Sequence, residues 1–379
     1  MYDKNVFTLT ITLLLIGAFL FTALGIYASS AEGQKKSFSV SARSATLYEP
    51  ETDLFLYSKK ADDTMPMAST TKIMTALVAL ENCELTDTIQ VDDSAIGTEG
   101  SSAYINQGDV FTAEELLYAL LLQSANDAAV ALACYIGDDI QGFAELMNQR
   151  AKEIGALNTH FSNPHGLDEK DHYTTAHDLA LITAEALKND TFKEIVSTYK
   201  KSFVQEERIR TYINHNKLLR SFEGCIGVKT GFTQKSGRCL VSAAERDGLT
   251  FISVTLDAPN DWSDHTALLD FGYDTLEKIT LSESGEFIYK LPIIDGTKNT
   301  LLISNTDSAS VILNKAEHKT EKHIKISRYA VAPINEGDIF GEVVYTVDGD
   351  NVARIKLVST ENVEKKSKRS FIEKIFSIF

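Results

Sequence analysis

The chain has 379 residues, which is enough for two or three domains. It carries 37 Lys and Arg against 53 Asp and Glu, a formal net charge of -16. This balance argues against nucleic acid as a partner, because a phosphate-binding surface needs clustered Lys and Arg. An acidic protein with no nucleic-acid partner is therefore predicted.

The N-terminal segment reads as an export signal. Residues 6–28 are uncharged and strongly apolar, and the small residues 29–31 follow them. This pattern predicts a secretory signal peptide over residues 1–31. The alternative is a retained anchor, because the apolar stretch is long enough to cross a bilayer at about 1.5 Å per residue. In both cases the rest of the chain is exported and extracytoplasmic.

A Ser-x-x-Lys motif at residues 69–72 follows a predicted hairpin of residues 39–48 and 53–59. The run at residues 73–80 is apolar nearly all round, which predicts a buried helix with Ser69 at its N-terminus. Lys72 then falls one turn later on the same face. The motif alone is weak, because Ser197 and Lys200 repeat it. The alternative is that Ser69 only caps the helix and Lys72 is a surface lysine.

The chemistry of this motif depends on a neutral lysine. A serine hydroxyl is a poor nucleophile until a base takes its proton. A free lysine has a pKa of about 10.4, so keeping it neutral at pH 7 costs about 4.6 kcal/mol. Burial, a helix N-terminus and a second cation all lower a lysine pKa. Ser69 is the predicted nucleophile, Lys72 its base and Lys229 the candidate second cation.

A Ser-Ala-Asn motif at residues 124–126 lies between two predicted helices. The first opens with a capping box formed by Thr112 and Glu115. Asn126 and Asp127 are candidate N-caps of the second helix, and this is the structural alternative to a role in chemistry. Ser124 follows a leucine run at a helix end, where a hydroxyl adds nothing to stability.

A Lys-Thr-Gly motif at residues 229–231 lies in a predicted meander of strands 227–233, 239–245 and 250–257. Gly231 inside a strand indicates close approach to the backbone, which we assign to a ligand. The alternative is an edge lysine that blocks aggregation, with Gly231 a simple bulge. Helices fill the middle of the domain and a helix at 264–278 closes it. Residues 37–279 therefore predict an α+β domain, an antiparallel sheet flanked by helices.

The C-terminal part has a different pattern. Short strands predict a small all-β domain over residues 280–362 that carries no chemical motif and serves spacing or partner contact; they lie at residues 287–291, 300–303, 310–313, 339–347 and 351–358. Residues 363–379 combine a basic flank with apolar residues that fall within an arc of roughly 160°. This predicts an amphipathic helix on the membrane surface. A helix packed back on the protein is the alternative.

Neither the cysteines nor the histidines predict a metal site. Buried thiols are the default for the four cysteines, with a Cys225–Cys239 disulfide as the alternative. Four histidines lie within one segment, at positions 160, 165, 172 and 177. None has the spacing of a helical zinc motif, and Pro164 and Gly166 indicate a loop. No metal and no cofactor are predicted.

The three motifs, together with residues 66–68, 163–168, 173–176 and 228–233, give the chain a family resemblance. It resembles low-molecular-mass penicillin-binding proteins of the D-alanyl-D-alanine carboxypeptidase family, serine peptidases of the S11 type. The resemblance is strong from residue 37 to 276. It implies a β-lactamase/transpeptidase-like catalytic fold and removal of the terminal D-alanine from peptidoglycan pentapeptides. It also implies acylation by β-lactams, and action at the outer face of the cytoplasmic membrane.

The resemblance also implies a role for each motif residue. Ser69 is the acylated nucleophile, Lys72 its general base, and Ser124 passes a proton to the departing amine. The substrate is held by the other motif residues and their neighbour, namely Asn126, Lys229, Thr230, Gly231 and Phe232. The backbone N–H groups of Ser69 and Phe232 would form the oxyanion hole. His215 stands where some relatives carry an arginine that helps to bind the carboxylate.

Two other functions compete with the carboxypeptidase. A class A β-lactamase needs a Glu-x-x-Leu-Asn pattern for deacylation, and Glu153 lies one residue too far from Leu157 and Asn158. A non-catalytic module that senses wall fragments or β-lactams is the second rival. It has no need for the complete set of Ser69, Lys72, Ser124 and Lys229.

Overall fold

The structure is a computed structural model that describes residues 39–205 and 208–367. The predicted signal peptide lies outside the described residues, as does the apolar part of the predicted terminal helix. None of the helices in the described ranges is long and apolar enough to cross a membrane.

The N-terminal domain places helices between two groups of strands. In chain order its elements are β1 (Ser44–Glu49), β2 (Leu54–Lys59), α1 (Lys72–Asn82), β3 (Thr88–Gln90), β4 (Val110–Thr112), α2 (Ala113–Leu122), α3 (Asn126–Gly137), α4 (Ile140–Ile154), α5 (Ala176–Ala186), α6 (Asp190–Ser197), β5 (Lys200–Gln205), β6 (Arg208–Ile213), α7 (Leu218–Ser221), β7 (Cys225–Thr233), β8 (Gly237–Arg246), β9 (Leu249–Leu256) and α8 (Asp261–Thr275). Short 3₁₀ turns lie at Ala68–Thr71 and Asp93–Ala95.

A five-stranded antiparallel sheet forms the centre of this domain, with the order β2-β1-β9-β8-β7. Strand β7, which carries the Lys-Thr-Gly motif, is an edge strand of that sheet. The helices α1, α2 and α3 are apolar nearly all round, and their side chains form the main core with one face of the sheet. The predicted α+β fold is confirmed.

The C-terminal domain is built from short strands. They are β10 (Leu276–Ser282), β11 (Ile288–Ile294), β12 (Thr300–Ser304), β13 (Ala309–Asn314), β14 (Thr320–Ile326), β15 (Ala330–Val331), β16 (Ile339–Val347) and β17 (Asp350–Ser359). Six of them form a sheet with the order β14-β16-β17-β12-β11-β15, and β10 pairs with β13. Residues such as Leu301, Ile303 and Leu357 form a separate core. The predicted all-β character of this part is confirmed.

Several predicted boundaries were wrong. The helix predicted at 264–278 is α8, which ends at Thr275 because residues 276–279 pair with β13 as part of β10. The predicted domain boundary at 279/280 therefore falls inside a strand. Residues 363 and 365 form β-bridges with Ile334 and Gly296, so the terminal helix does not begin at 363. The β5–β6 hairpin lies within the region that we expected to be filled by helices.

Candidate active site

Ser69 lies in the 3₁₀ turn Ala68–Thr71 that leads into α1. Lys72 is the first residue of α1 and is fully buried, whereas Ser69 is half-buried. Lys72 Nζ lies 3.1 Å from Ser69 Oγ. The predicted contact on one face is present, although Ser69 lies in the turn and not in the helix itself.

Two further contacts orient the Lys72 amine. Its Nζ donates to Asn126 Oδ1 at 2.6 Å and to the backbone carbonyl of His165 at 2.6 Å. Both partners are oxygen acceptors. A neutral amine has two N–H bonds and one lone pair, so when both N–H bonds are engaged by these oxygens the lone pair faces Ser69 Oγ. This is the geometry that a base acting on Ser69 requires.

The site lowers the pKa of both of its lysines. Burial holds the pKa of Lys72 well below its ordinary value, and the charge of Lys229 lowers it further, while Asp127 opposes the shift. Burial lowers the pKa of Lys229 to about 7. Lys229 Nζ donates to the carbonyl of Thr230 at 3.0 Å. Burial thus favours the neutral form of Lys72, and Lys229 is divided between its two forms near pH 7.

Asn126 and Asp127 do not act as N-caps, contrary to the structural alternative. Helix α3 has Ala125 as its N-cap, without a side-chain cap bond. Asn126 Nδ2 donates to the carbonyl of Glu99 at 2.5 Å, so its amide joins Lys72 to the loop before α2. The Asp127 carboxylate accepts from Ser102 Oγ at 2.6 Å and from two backbone N–H groups of the same loop. Both side chains therefore hold the wall of the site in place.

Ser124 turns the chain between α2 and α3. It has a φ of 62°, a left-handed conformation that is uncommon for a residue other than glycine. Its side chain is nearly buried and lines the same cleft as Ser69. Within the described ranges, no hydrogen bond engages its hydroxyl, so the group is left free to bond with a ligand in the cleft.

A second network fixes the backbone just before Ser69. Ala68 has a φ of 48°, again left-handed. Its carbonyl accepts from Thr71 Oγ1 at 2.8 Å, and Thr71 Oγ1 lies 2.8 Å from His172 Nε2. The N–H of Ser162 donates to His172 Nδ1, so the other ring nitrogen carries the proton and donates to Thr71. Burial lowers the pKa of His172 to about 4, which keeps this donor neutral.

The loop of residues 163–168 packs directly against that turn. Gly166 has a φ of 90°, and a Cβ at this position would lie 1.9 Å from the carbonyl oxygen of Ala68. Thr75 Oγ1 donates to the carbonyl of Pro164 at 2.6 Å. The loop that supplies the His165 carbonyl to Lys72 therefore packs against the Ala68–Thr71 turn and is hydrogen-bonded to α1.

The Lys-Thr-Gly strand passes close to Ser69. A Cβ at Gly231 would lie 3.0 Å from the backbone nitrogen of Ser69 and 3.1 Å from that of Thr70. The close approach that we assigned to a ligand is thus made by the chain itself. Between β7 and the helices lies a cleft of about 330 Å³, lined by Ser69, Ser101, Ser124, His215, Thr230, Gly231, Phe232, Arg238, Asp261 and Trp262.

The clustered histidines have separate partners. His160 Nδ1 contacts the carbonyl of Asp171, His177 contacts Ser58 and Asp62, and His172 belongs to the network behind Ala68. Among the described residues no three His, Cys, Asp or Glu side chains are grouped as a metal would require.

All four cysteines are free thiols. Cys225 pairs with Ala244 across the β7–β8 ladder and Cys239 pairs with Gly231. The alternative Cys225–Cys239 disulfide is therefore not formed, because the two residues lie at different ends of the ladder.

The second Ser-x-x-Lys sequence does not form a site. Ser197 ends α6 and donates its hydroxyl to the carbonyl of Lys193 at 2.6 Å, whereas Lys200 begins β5. Four residues of the three motifs line one cleft, namely Ser69, Ser124, Thr230 and Gly231, and Lys72 contacts both Ser69 and Asn126. Lys229 is buried, and its charge lies close enough to lower the pKa of Lys72. Sequence reasoning missed the contributions of the His165 carbonyl, Asp127, His172, Arg238 and Asp261.

The fold and the Ser69–Lys72 pair define a serine hydrolase of the α+β type. A family model described as D-alanyl-D-alanine carboxypeptidase matches residues 29–260, and one described as penicillin-binding protein 5, C-terminal domain, matches residues 276–365. The chain belongs to the D-alanyl-D-alanine carboxypeptidase family.

Relatives and solved structures agree with this assignment. The chain is 30% identical over 374 residues to D-alanyl-D-alanine carboxypeptidase DacF of Bacillus subtilis (strain 168), covering 95% of this chain and 96% of that one. Penicillin-binding protein 5 from Haemophilus influenzae superposes with a TM-score of 0.64 and 26% identity, over 87% of this chain and 99% of that one. The Streptomyces K15 DD-transpeptidase superposes with a TM-score of 0.60 and 35% identity, over 62% of this chain and 98% of that one.

Proposed function

We propose that the protein removes the terminal D-alanine of peptidoglycan pentapeptides through an acyl-enzyme on Ser69. The observation that carries this proposal is the 3.1 Å contact between Ser69 Oγ and the buried Lys72 amine, whose two other contacts are oxygen acceptors. Lys72 takes the proton of Ser69 as the oxygen attacks the carbonyl between the last two D-alanines. The C–N bond breaks, and the amine leaves with a proton passed through Ser124.

Water completes the reaction. It attacks the ester on Ser69, gives one proton to Lys72, and releases the shortened peptide with a new carboxylate, while Ser69 regains its proton. The negative oxygen of each tetrahedral intermediate is placed between the backbone N–H groups of Ser69 and Phe232. Two such donors contribute several kcal/mol to transition-state stabilisation. The close packing at Gly231 supports this placement, because the absence of a Cβ there lets β7 pass beside the Ser69 turn, where an added Cβ would lie 3.0 Å from Ser69 N.

Binding of the substrate carboxylate falls to the Lys-Thr-Gly strand. Lys229 and Thr230 hold the terminal carboxylate, and Asn126 orients the substrate amide. A carboxylate beside Lys229 favours the charged form of that amine, which offsets part of its cost of burial. A β-lactam carries a similar carboxylate beside a strained amide, and we expect it to acylate the same serine.

We also propose export and attachment to the outer face of the membrane. The apolar run at residues 6–28 supports export, and the basic and apolar pattern after residue 364 supports contact with anionic lipid.

The test of the reaction is the intact mass of the purified protein after incubation with penicillin and, separately, with a pentapeptide that ends in D-Ala-D-Ala. Released D-alanine together with a penicilloyl adduct is expected. Both must disappear in Ser69→Ala and persist in Ser197→Ala, which removes the unrelated serine. An adduct without D-alanine release would indicate a sensing module, and rapid penicillin turnover a β-lactamase. No adduct would overturn the assignment of Ser69.

A further inference from the structure

The cleft continues beyond the three motifs, along β8 and the start of α8. Arg238, Asp261 and Trp262 line it together with Phe232. In the β7–β8 ladder, Arg238 pairs directly with Phe232, and Leu240 pairs with Thr230. Because side chains alternate along a strand, Phe232 and Arg238 project from the same face as Thr230. These residues therefore extend the substrate path past the reacting centre.

The proposed function, on which this inference rests, fixes the direction of the substrate. The terminal carboxylate lies at Thr230 and the reacting carbonyl lies between the N–H groups of Ser69 and Phe232. The preceding residue of the peptide then lies beyond Phe232, since each strand residue advances the chain by about 3.3 Å. That place is beside Arg238, the ladder partner of Phe232.

Arg238 is held in place yet keeps donors for a ligand. Its Nε and a terminal nitrogen contact Asp261 Oδ2 at 3.0 and 2.9 Å, and the other oxygen of Asp261 accepts the N–H of Trp262 at 2.9 Å. The Asp261 side chain is 5% exposed, whereas that of Arg238 is 44% exposed. The buried acid thus positions the guanidinium, which lines the cleft and is partly exposed there.

Arg238 is also the strongest cation at the surface of the cleft. Among the ten residues that line it in the described part of the chain, only Arg238 is charged positively at every physiological pH. Burial and the nearby charge of Lys229 lower the pKa of His215, the other basic residue of this lining, so His215 is neutral at pH 7.

The walls next to Arg238 suit an aliphatic chain. Phe232 is 65% exposed. Trp262 also lines the cleft. Two aromatic surfaces and a guanidinium together match a side chain with several methylene groups and an anionic end.

We propose that Phe232, Arg238 and Trp262 form a subsite for the third residue of the pentapeptide, in which Arg238 selects a side chain that ends in a free carboxylate. A diamino dicarboxylic acid has this chemistry, with a carboxylate beside its distal amine. A lysine as the third residue of the pentapeptide has the distal amine but no carboxylate for Arg238 to bind.

The test compares three pentapeptides that differ only in the third residue, namely meso-diaminopimelic acid, its side-chain amide and L-lysine. We expect kcat/KM to be about fivefold higher for the free acid, as a partly exposed charge pair gives. Arg238→Gln should reduce this ratio to about one, and Arg238→Lys should keep part of it. Arg354→Gln, an exposed arginine of the C-terminal domain, should leave the ratio unchanged.

Two controls separate the possible failures. Arg238→Gln leaves Asp261 buried without its partner, so the double variant Arg238→Gln/Asp261→Asn checks that lost selectivity is not lost folding. Equal kcat/KM for all three peptides, or a preference that survives in both variants, would overturn the subsite. Penicillin lacks the third residue, so its acylation of Ser69 reports on the proposed function separately.

Discussion

Asn126 Oδ1 accepts a 2.6 Å hydrogen bond from Lys72 Nζ, so the second motif is bonded directly to the base of the first. The same amide donates to the carbonyl of Glu99. The contact with Glu99 therefore turns the amide so that its oxygen, and not its nitrogen, faces the lysine, and it does so without adding a charge. This neutral contact explains why Lys72 keeps a lowered pKa although it is well bonded.

Asn126→Asp should raise the pKa of Lys72. A carboxylate at this distance favours the ammonium form, so the pH at which acylation by penicillin becomes fast should rise by about one unit or more. The measurement is the second-order acylation rate from pH 5 to 9. Asn106→Asp adds the same charge at an exposed site and should leave the profile in place. A lower rate with an unshifted profile would count against the electrostatic explanation.

Lys72→Arg should abolish acylation, because it replaces an amine whose neutral form is favoured by burial with a group that is always charged. Arginine is not deprotonated in proteins, so it cannot accept the proton of Ser69. A general base contributes about 10² to 10⁴ in rate, and a loss of at least a hundredfold is expected in penicillin acylation followed by mass. Lys200→Arg, in the unrelated Ser-x-x-Lys sequence, serves as the control. Retained acylation in Lys72→Arg would show that another group is the base.

Lys229 should cause activity to fall on the alkaline side. Its pKa is lowered to about 7 because it is buried, so its charged form is lost as the pH rises through 7. We expect kcat/KM for the pentapeptide to decline about tenfold for each pH unit above that point. Lys229→Arg keeps its charge at all pH values and should remove the decline. If kcat/KM still declines above pH 7 in that variant, the decline is caused by the titration of another residue.

Gly166→Ala and Gly155→Ala form a matched pair. Both glycines have a φ close to 90°, but a Cβ at Gly155 meets nothing within 4 Å, whereas one at Gly166 would lie 1.9 Å from the Ala68 carbonyl oxygen. The left-handed backbone alone costs about 1 to 2 kcal/mol. Gly155→Ala should lower the free energy of unfolding, measured in urea, by that amount and should still be acylated by penicillin. Gly166→Ala should lose more stability and nearly all acylation, and equal losses would refute the packing argument.

Thr71→Val should weaken the turn before Ser69. It leaves the Ala68 carbonyl and His172 Nε2 without their shared partner, which costs about 1 to 3 kcal/mol in a buried site. Thr183→Val removes an equally buried hydroxyl that bonds only to the preceding turn of α5, and it should cost less. Urea unfolding gives both values. If acylation is slower in Thr71→Val and not in Thr183→Val, the hydrogen bonds of Thr71 help to position Ser69.

Much of the fold follows from residue patterns. Helix α1 was predictable because its run is apolar nearly all round, and the capping box of Thr112 and Glu115 forms as expected. Strand β14 was missed because it is an edge strand whose residues are almost all exposed, so no burial pattern distinguishes it from a charged loop. The β5–β6 hairpin was missed for a related reason, since it carries exposed apolar residues such as Val204 and Ile209.

Only the parts of the site that are formed by side chains of recognisable motifs could be predicted from the sequence. Ser69, Lys72 and Lys229 stand in motifs, but the acceptor supplied by His165 is a backbone oxygen 93 residues from Lys72. Backbone oxygens are the same in every residue, so no residue type reveals one. Arg238 was missed because its place depends on the register with Phe232, which a sequence alone does not fix.

The burial of Lys229 has a consequence for calorimetry. Above pH 7 most of this amine is neutral. If a ligand carboxylate docks beside it, the pKa rises and the protein takes up a proton from the buffer. The measured enthalpy of binding should then vary with the ionisation enthalpy of the buffer, and Lys229→Arg should remove that dependence. Ligand binding and proton binding would then be coupled, and each would raise the affinity of the protein for the other.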